Sequence, residues 1–232
     1  MRRRLVNQFL LAGWAAGLGG PAWAQDLSAL SSGQATQGLR EALARGARLA
    51  VEQLGRPDGF LGNARLRIGL PPLLQDAQGL LRALGQGERL DALVTAMNRA
   101  AEAAVPQAQD LLVGAVKSLS VKDAKAILTG GDTSVTQFFA DKTRSPLTQK
   151  FLPIVTQATE RVDLAGRYNQ LVDRVSSMGL AQGKAERVEN YVTHRALDGL
   201  YTVIGEEEKK LRQDPLGSGS AILQKVFGAL RR

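Results

Sequence analysis

The chain has 232 residues, with 30 Lys and Arg against 22 Asp and Glu, a formal net charge of +8, one histidine and no cysteine. Without cysteine it forms no disulfide and no thiolate metal site, and it lacks the residue to which a lipoprotein anchor is attached. A single histidine cannot build the usual zinc centre, which takes several His or Cys ligands. We therefore expect no metal, no cofactor and a core held together by packing alone.

The first 24 residues have the pattern of a signal peptide. Three arginines at positions 2–4 precede a mostly apolar stretch that is too short to span a bilayer, and Ala22-Trp23-Ala24 ends the segment. We expect cleavage before Gln25 and a periplasmic location. Removing the three arginines from the net charge of +8 leaves +5. That surplus either covers a solvated surface or contacts an envelope protein or anionic lipid, and export argues against nucleic acid.

Apolar residues recur at helical spacing over most of the remaining chain. The first apolar stripe ends at Gly55 and Pro57 and consists of Leu39, Leu43, Gly46, Ala50 and Leu54. A second stripe runs from Leu90 to Leu119 and keeps its phase across Pro106. Proline lacks an N–H and removes one helical hydrogen bond, so this pattern predicts one kinked helix or two nearly coaxial helices.

Polar residues and glycines mark the ends of the following short helix. Ser120, three residues ahead of Asp123, predicts a capping box, and the pair at positions 130–131 ends the helix. Asp132 is the expected cap of the next helix.

Further boundaries follow toward the C-terminus. Ser145 before Pro146 predicts an N-cap with proline at the first position of a new helix, and Asp163 is the expected start of another. The longest predicted helix covers residues 186–212. No stretch after the signal segment has the roughly 20 consecutive apolar residues of a membrane-spanning helix.

These patterns predict an all-α, irregular multi-helix bundle with one extended loop or short strand at about residues 55–72. We expect residues 1–24 to be the signal peptide and residues 25–213 to form a single helical domain. Residues 214–232 are expected to be a linker followed by an amphipathic helix, which docks on the bundle or lies on an anionic membrane.

The loop at residues 55–72 is the first candidate site. Polar and apolar residues alternate there, so an extended backbone would project Arg65 and Arg67 to the same side. Paired guanidinium groups suit a carboxylate or a phosphate. The alternative is a lid packed on the bundle by its apolar side chains. The candidate residues for ligand or partner binding are Asp58, Phe60, Asn63, Arg65 and Arg67.

The second candidate site lies just before the Pro106 kink. Asn98, Arg99 and Glu102 form a polar flank beside an alanine-rich stretch that permits close helix packing. The carbonyl freed by the proline needs a partner, which Asn98 or Arg99 is able to supply. The flank is therefore either a buried polar staple between helices or part of a ligand site.

Catalytic residues of the common hydrolase types are not indicated. His194 falls on the polar side of its predicted helix, which favours a solvated surface histidine over a triad member. Glu206 and Lys210 have the i,i+4 spacing of a surface ion pair. We assign no catalytic residue.

Several phrases in the chain resemble an uncharacterised bacterial family, the domain of unknown function 4197. They include GLREAL at positions 38–43, DGFLGN at 58–63, MNRAAE at 97–102, DAKAILTG at 123–130 and ALDGL at 196–200. The resemblance implies an exported, mainly helical protein of Gram-negative bacteria and no particular activity.

The hypothesis that fits these observations is a non-enzymatic binding or interaction protein of the cell envelope. One alternative is a carrier that encloses an apolar or lipid-like ligand in a helical cavity, because proline-bent helices leave space between them. A second alternative is an enzyme that uses carboxylates such as Glu102 or Asp58.

Overall fold

The computed structural model describes residues 32–131, 133–161, 163–179 and 186–213, and in these ranges the regular structure is helical. The helices, numbered in chain order, are α1 (Ser32–Gly55), α2 (Pro72–Asp76), α3 (Gln78–Ala83), α4 (Gly87–Ala104), α5 (Gln109–Lys117), α6 (Val121–Thr129), α7 (Ser134–Glu160), α8 (Leu164–Ser177) and α9 (Val188–Gln213). The all-α prediction is confirmed. The signal peptide, the cap at Asp132 and the C-terminal amphipathic helix lie outside the described residues.

The two longest late helices form the centre of the bundle. α7 packs along α9, which also packs against α1, while α4 lies on α7 and α1 lies on α5. α7 and α9 are antiparallel, because Thr136 lies next to the Tyr201 carbonyl and Arg144, further along α7, pairs with Asp198, nearer the start of α9. The buried side chains form one continuous apolar cluster between these helices.

The interruption that Pro106 predicts in the second apolar stripe is present, and it separates two helices. α4 ends at Ala104, and a 3-10 turn over Val105–Ala108 leads directly into α5. The proline occupies the start of that turn, where a missing N–H costs least. Gly55, at the end of α1, lies against this turn, because a Cβ built on it would stand 3.0 Å from the Pro106 ring.

The predicted helix start at Ser145-Pro146 is wrong. α7 continues from Ser134 to Glu160 with Pro146 and Pro153 inside it. Each proline deprives the carbonyl four residues earlier of its hydrogen bond, and those carbonyls belong to Lys142 and Gln149, both exposed. Water can therefore replace the lost donors, while the apolar face on the other side of the helix remains packed.

The predicted non-helical loop at residues 55–72 is present, but it forms no strand, and the backbone is turned at residues 64–66, where the sequence pattern predicts an extended conformation for Arg65. The chain turns through residues 56–66 and then runs without regular structure to α2. Within the ranges the structure describes, no helix is both long and apolar enough to cross a bilayer.

The capping box at α6 is confirmed and gives a direct test of local stability. The Asp123 amide donates to the Ser120 hydroxyl at 3.1 Å, and the Ser120 amide donates to the Asp123 carboxylate at 3.0 Å. The Ser120 hydroxyl also donates to the Asp123 carboxylate at 2.7 Å, and this bond, together with the one from the Ser120 amide, lowers the pKa of the Asp123 carboxyl. We expect Ser120→Ala to lower the free energy of unfolding by about 1 kcal/mol in urea titration, as is typical for a lost N-cap.

Ser176→Ala is the matched control, because Ser176 is also exposed but lies inside α8 and bonds only the Val172 carbonyl. Alanine has the higher helix propensity, so this control should be neutral or slightly stabilising. Equal losses in the two variants would contradict the capping role.

Candidate functional site

The loop between α1 and α2 lies across α4, and two polar side chains of α4 hold it there. Asn98 and Glu102 are four residues apart, so both project from the same face of the helix. Both are buried, Asn98 completely and Glu102 with 4% of its surface exposed. The polar flank indicated by the sequence is therefore inside the protein, beneath the loop.

Glu102 binds the start of the loop. Its Oε1 atom accepts hydrogen bonds from the backbone amides of Phe60 and Leu61 at 3.1 and 3.2 Å. Its Oε2 atom accepts from Arg99 Nη1 at 2.7 Å. The other guanidinium nitrogen of Arg99 donates to Asp58 Oδ1 at 2.8 Å. We call this group, Asp58, Arg99, Glu102 and the two backbone amides, the Glu102 clamp.

The backbone at the clamp is a tight turn with a strict requirement for glycine. Asp58 has a φ of 65°, the left-handed conformation that aspartate tolerates better than most residues. At Gly59, a Cβ would stand 2.6 Å from the carbonyl oxygens of Gln53 and Leu54. The turn therefore folds directly onto the end of α1, and only glycine fits there.

Phe60 anchors the same turn from its side-chain end. Its ring is fully buried, and a Cβ built on Gly199 of α9 would stand 2.6 Å from Phe60 Cε1. The ring thus lies directly on the backbone of α9. Phe60, a candidate binding residue from the sequence, therefore lies in the core, as the packed-lid alternative for the loop predicts.

Asn98 binds the end of the loop. Its Oδ1 accepts from the Ile68 amide at 2.8 Å, and its Nδ2 donates to the Ile68 carbonyl at 2.9 Å and to the Val94 carbonyl at 2.7 Å. The side chain therefore pairs with Ile68 as a neighbouring strand would. We call this arrangement the Asn98 clamp. The Asn98 side chain bonds Ile68 and Val94, and the Arg99 guanidinium bonds two carboxylates. Neither side chain therefore bonds the carbonyl that Pro106 leaves without a helical donor.

The two loop arginines have different neighbours. Arg65 forms an ion pair with Glu206 of α9, and Arg67 lines a pocket that also contains Arg82 and Asp91. They therefore do not act as a pair. Asn63, the remaining candidate of the loop, is structural, because its Oδ1 accepts from the Arg65 amide at 3.1 Å.

The expected ion pair between Glu206 and Lys210 is also wrong. Glu206 pairs with Arg65, and Lys210 pairs with Glu207, three residues before it. Helical spacing permits Lys210 to pair with either Glu206 or Glu207. Arg65 occupies Glu206, so Lys210 pairs with Glu207.

The carboxylates of Glu102 and Asp58 both accept hydrogen bonds that hold the loop in place. Both carboxylate oxygens of Glu102 already accept hydrogen bonds, and its bond to Arg99 is the main cause that raises the pKa of that guanidinium. His194 is exposed, with its Nδ1 3.3 Å from Glu186. Among the described residues, no three His, Cys, Asp or Glu side chains are grouped closely enough to hold a metal ion.

A groove of about 480 Å³ lies elsewhere, between α6 and α7. Ile127 and Phe138 contribute apolar surface to it, and Asp123, Asp141 and Lys142 contribute charge. Its volume suits a small ligand, but the groove is open to solvent, whereas a lipid carrier requires an enclosed apolar cavity.

Comparison with protein families matches residues 29–228 to the model of a protein of unknown function, DUF4197. The chain belongs to this family. The resemblance seen in the sequence phrases is thereby confirmed. No curated protein and no solved structure matches the chain.

Both clamps of this DUF4197 protein lie inside the matched residues. Sequence reasoning found the side chains on α4 but missed their long-range companions, Gly199, Tyr191 and the pair of Arg82 with Asp91. Arg82 and Asp91 lie on different helices, nine residues apart, so helical spacing gives no signal for their pairing.

The contact between Phe60 and α9 predicts that Gly199→Ala destabilises the DUF4197 fold. The new methyl group would overlap the buried ring, and overpacking of this kind costs about 1–3 kcal/mol of unfolding free energy. Gly114→Ala in α5 is the control, because nothing lies within 4 Å of its Cβ position and alanine stabilises a helix interior by about 0.5–1 kcal/mol. Urea titration of both variants should show changes of opposite sign.

The Glu102 clamp predicts that Glu102→Gln loosens the loop. Glutamine keeps the shape but loses the charge, and its amide group faces either Arg99 or the loop amides as a second donor. We expect a loss of about 1–3 kcal/mol in urea titration, the range for an unsatisfied buried polar group. Limited trypsin digestion should also cleave faster at Arg65 or Arg67, whereas the bond after Arg56 precedes Pro57 and resists trypsin.

Glu52→Gln provides the control, because Glu52 is exposed on α1. It should leave both stability and cleavage within error. An unchanged cleavage rate in Glu102→Gln would show that the clamp does not fix the loop.

Proposed function

We propose that this protein is exported to the periplasm and acts there as a non-enzymatic binding protein of the cell envelope, with the clamped loop as its contact surface. Export is supported by the arginines at positions 2–4, the apolar stretch after them and the Ala22-Trp23-Ala24 end of the segment. Membership of a family described only as a protein of unknown function is compatible with this role.

The observation that carries the binding role is the use of the buried polar groups. The hydrogen-bonding atoms of Glu102 and Asn98 are occupied, chiefly by the loop backbone and otherwise by Arg99 and the Val94 carbonyl, so the two side chains hold the loop in shape and neither is a free acid or base. The role is therefore positioning: a surface loop is fixed on helices before any partner arrives. Loops held on a rigid scaffold are the usual carriers of recognition.

The exposed side chains of the loop suggest the chemistry of the partner. Arg56, Arg65 and Arg67 are exposed, and Asp58 is the single acid within the loop. Arg65 already pairs with Glu206 of α9, so Arg56 and Arg67 carry the positive surplus. A surface with this surplus attracts acidic partners, and guanidinium groups bind carboxylates with defined geometry. We infer that the loop contacts an acidic surface of an envelope protein.

The test is site-specific photo-crosslinking in living Gram-negative cells, with the crosslinking residue at Ala64. Ala64 is exposed at the tip of the loop, so replacing it should leave the clamps intact. We expect a reproducible crosslink to one envelope protein. The mature protein should be recovered from the periplasmic fraction with Gln25 as its first residue.

Gln170 is the control position, because it is exposed on α8 and lies outside the loop. It should give little or none of the same product, and Glu102→Gln should weaken the crosslink from Ala64. The binding role fails if no envelope protein is reproducibly captured from Ala64. Export fails if the chain stays in the cytoplasm with residues 1–24 attached.

A further inference from the structure

A second recognition feature lies on the other side of the loop, in a pocket of about 390 Å³. The pocket lies between the end of the loop, the short helices α2 and α3, and the first turns of α4. Its polar lining consists of Arg67, Gln75, Gln78, Arg82 and Asp91, and its apolar lining includes Leu70 and Val94. Two arginines facing one aspartate leave a surplus of positive charge.

The backbone that carries Arg67 is fixed at successive residues. The Arg67 amide donates to the Asn63 carbonyl at 2.8 Å, and the next residue, Ile68, is held by both atoms of the Asn98 amide. The Tyr191 hydroxyl lies 3.2 and 3.3 Å from the next two carbonyl oxygens, those of Gly69 and Leu70. The position of Arg67 at the pocket is therefore set by folding and not by a ligand.

The two guanidinium groups differ in what they already bind. Arg82 donates to both carboxylate oxygens of Asp91, at 2.5 and 3.3 Å. Arg67 has no hydrogen bond or ion pair from its guanidinium to any residue in the described part of the chain. Its charge still reaches the pocket, because it adds to the effect of Arg82 in lowering the pKa of Asp91.

We propose that this pocket binds an oxyanion, a phosphate or carboxylate group, with the Arg67 guanidinium as its principal contact. The side-chain amides of Gln75 and Gln78 are able to donate further hydrogen bonds to the same group. Leu70 and Val94 offer apolar surface to whatever the oxyanion is attached to. This site shares Arg67 with the partner surface of the loop, but the rest of its polar lining lies on or beside α2, α3 and α4, and it does not depend on export.

The same chemistry is presented by a free small anion and by the headgroup of an acidic phospholipid. Asp91 decides how strongly either one binds, because its carboxylate competes for Arg82 and repels the incoming anion. The ion pair of Arg82 with Asp91 thus lowers the affinity of the pocket for an anion, and removing the aspartate charge raises that affinity.

The test is a titration of the purified protein with inorganic phosphate, followed by amide chemical shifts in nuclear magnetic resonance spectra. We expect saturable shifts at residues 67–70 and at the side-chain amides of Gln75 and Gln78. Arg67→Gln should weaken phosphate binding at least tenfold, about 1.4 kcal/mol. Asp91→Asn should strengthen phosphate binding several-fold, because the carboxylate that competes for Arg82 and repels the anion is gone. If the arginines only stabilised the fold, this substitution would not raise the affinity.

Arg167→Gln is the matched control, since Arg167 is an exposed arginine of α8 outside both the loop and the pocket lining. It should leave phosphate affinity unchanged, and circular dichroism should show that every variant is folded. The proposal is overturned if the shifts do not localise to the pocket, if Arg67→Gln binds like the original chain, or if Arg167→Gln loses as much affinity.

A second arm of the experiment identifies the source of the oxyanion. The protein is sedimented with phosphatidylcholine vesicles that contain or lack phosphatidylglycerol. Binding that requires phosphatidylglycerol and is lost in Arg67→Gln identifies a lipid headgroup as the ligand. Phosphate binding without vesicle binding identifies a soluble anion, and failure of both arms rejects the site.

Discussion

The buried carboxylate of Glu102 is the constraint on which the rest of the site depends. An ionised carboxylate removed from water loses several kcal/mol of solvation unless donors replace the water. Here three donors do so: the amides of Phe60 and Leu61 and the guanidinium of Arg99. Two of these donors belong to the loop backbone. In most other conformations of the loop, the Glu102 carboxylate would therefore be exposed to water or left buried without hydrogen-bond donors.

The loop conformation then imposes requirements on sequence far from Glu102. The turn that aims both amides at the carboxylate brings Gly59 against the end of α1, where no side chain fits. It also directs Phe60 into the core, onto Gly199 of α9. One electrostatic requirement on α4 therefore fixes contacts with the first and the last described helices.

Sequence patterns predicted the helices well, because helical periodicity and capping are local properties. The box formed by Ser120 and Asp123, for example, is complete within four residues. The prediction at Ser145-Pro146 failed because it was equally local. The signal of a helix start is genuine, but α7 packs on α9 and Lys142, whose carbonyl loses its helical donor, is exposed, so the helix continues.

The candidate site could be predicted only in part. The polarity of Asn98 and Glu102 within an apolar stretch is visible in the sequence and does mark a buried polar cluster. Their partners are 30 to 42 residues away in the loop, and such distances carry no periodic signal. For the same reason, the divergence of Arg65 and Arg67 depends on Glu206 and Asp91, which only the tertiary fold brings near.

In the loop, the backbone is held by buried polar groups, while the Arg67 side chain is exposed. This difference explains how Glu102 and Asn98, whose own hydrogen bonds are all made, could support the proposed binding at Arg67. The clamps immobilise the backbone around residues 58–61 and 67–70, so the conformational entropy of this segment is already lost when the protein folds. The exposed guanidinium of Arg67 has no partner within the described residues. An anion that binds it orders one side chain and no backbone, which lowers the entropic cost of association. Because a mobile loop would bear that cost at each encounter, burying Glu102 and Asn98 would strengthen the proposed binding of an anion by Arg67, a residue that neither side chain bonds.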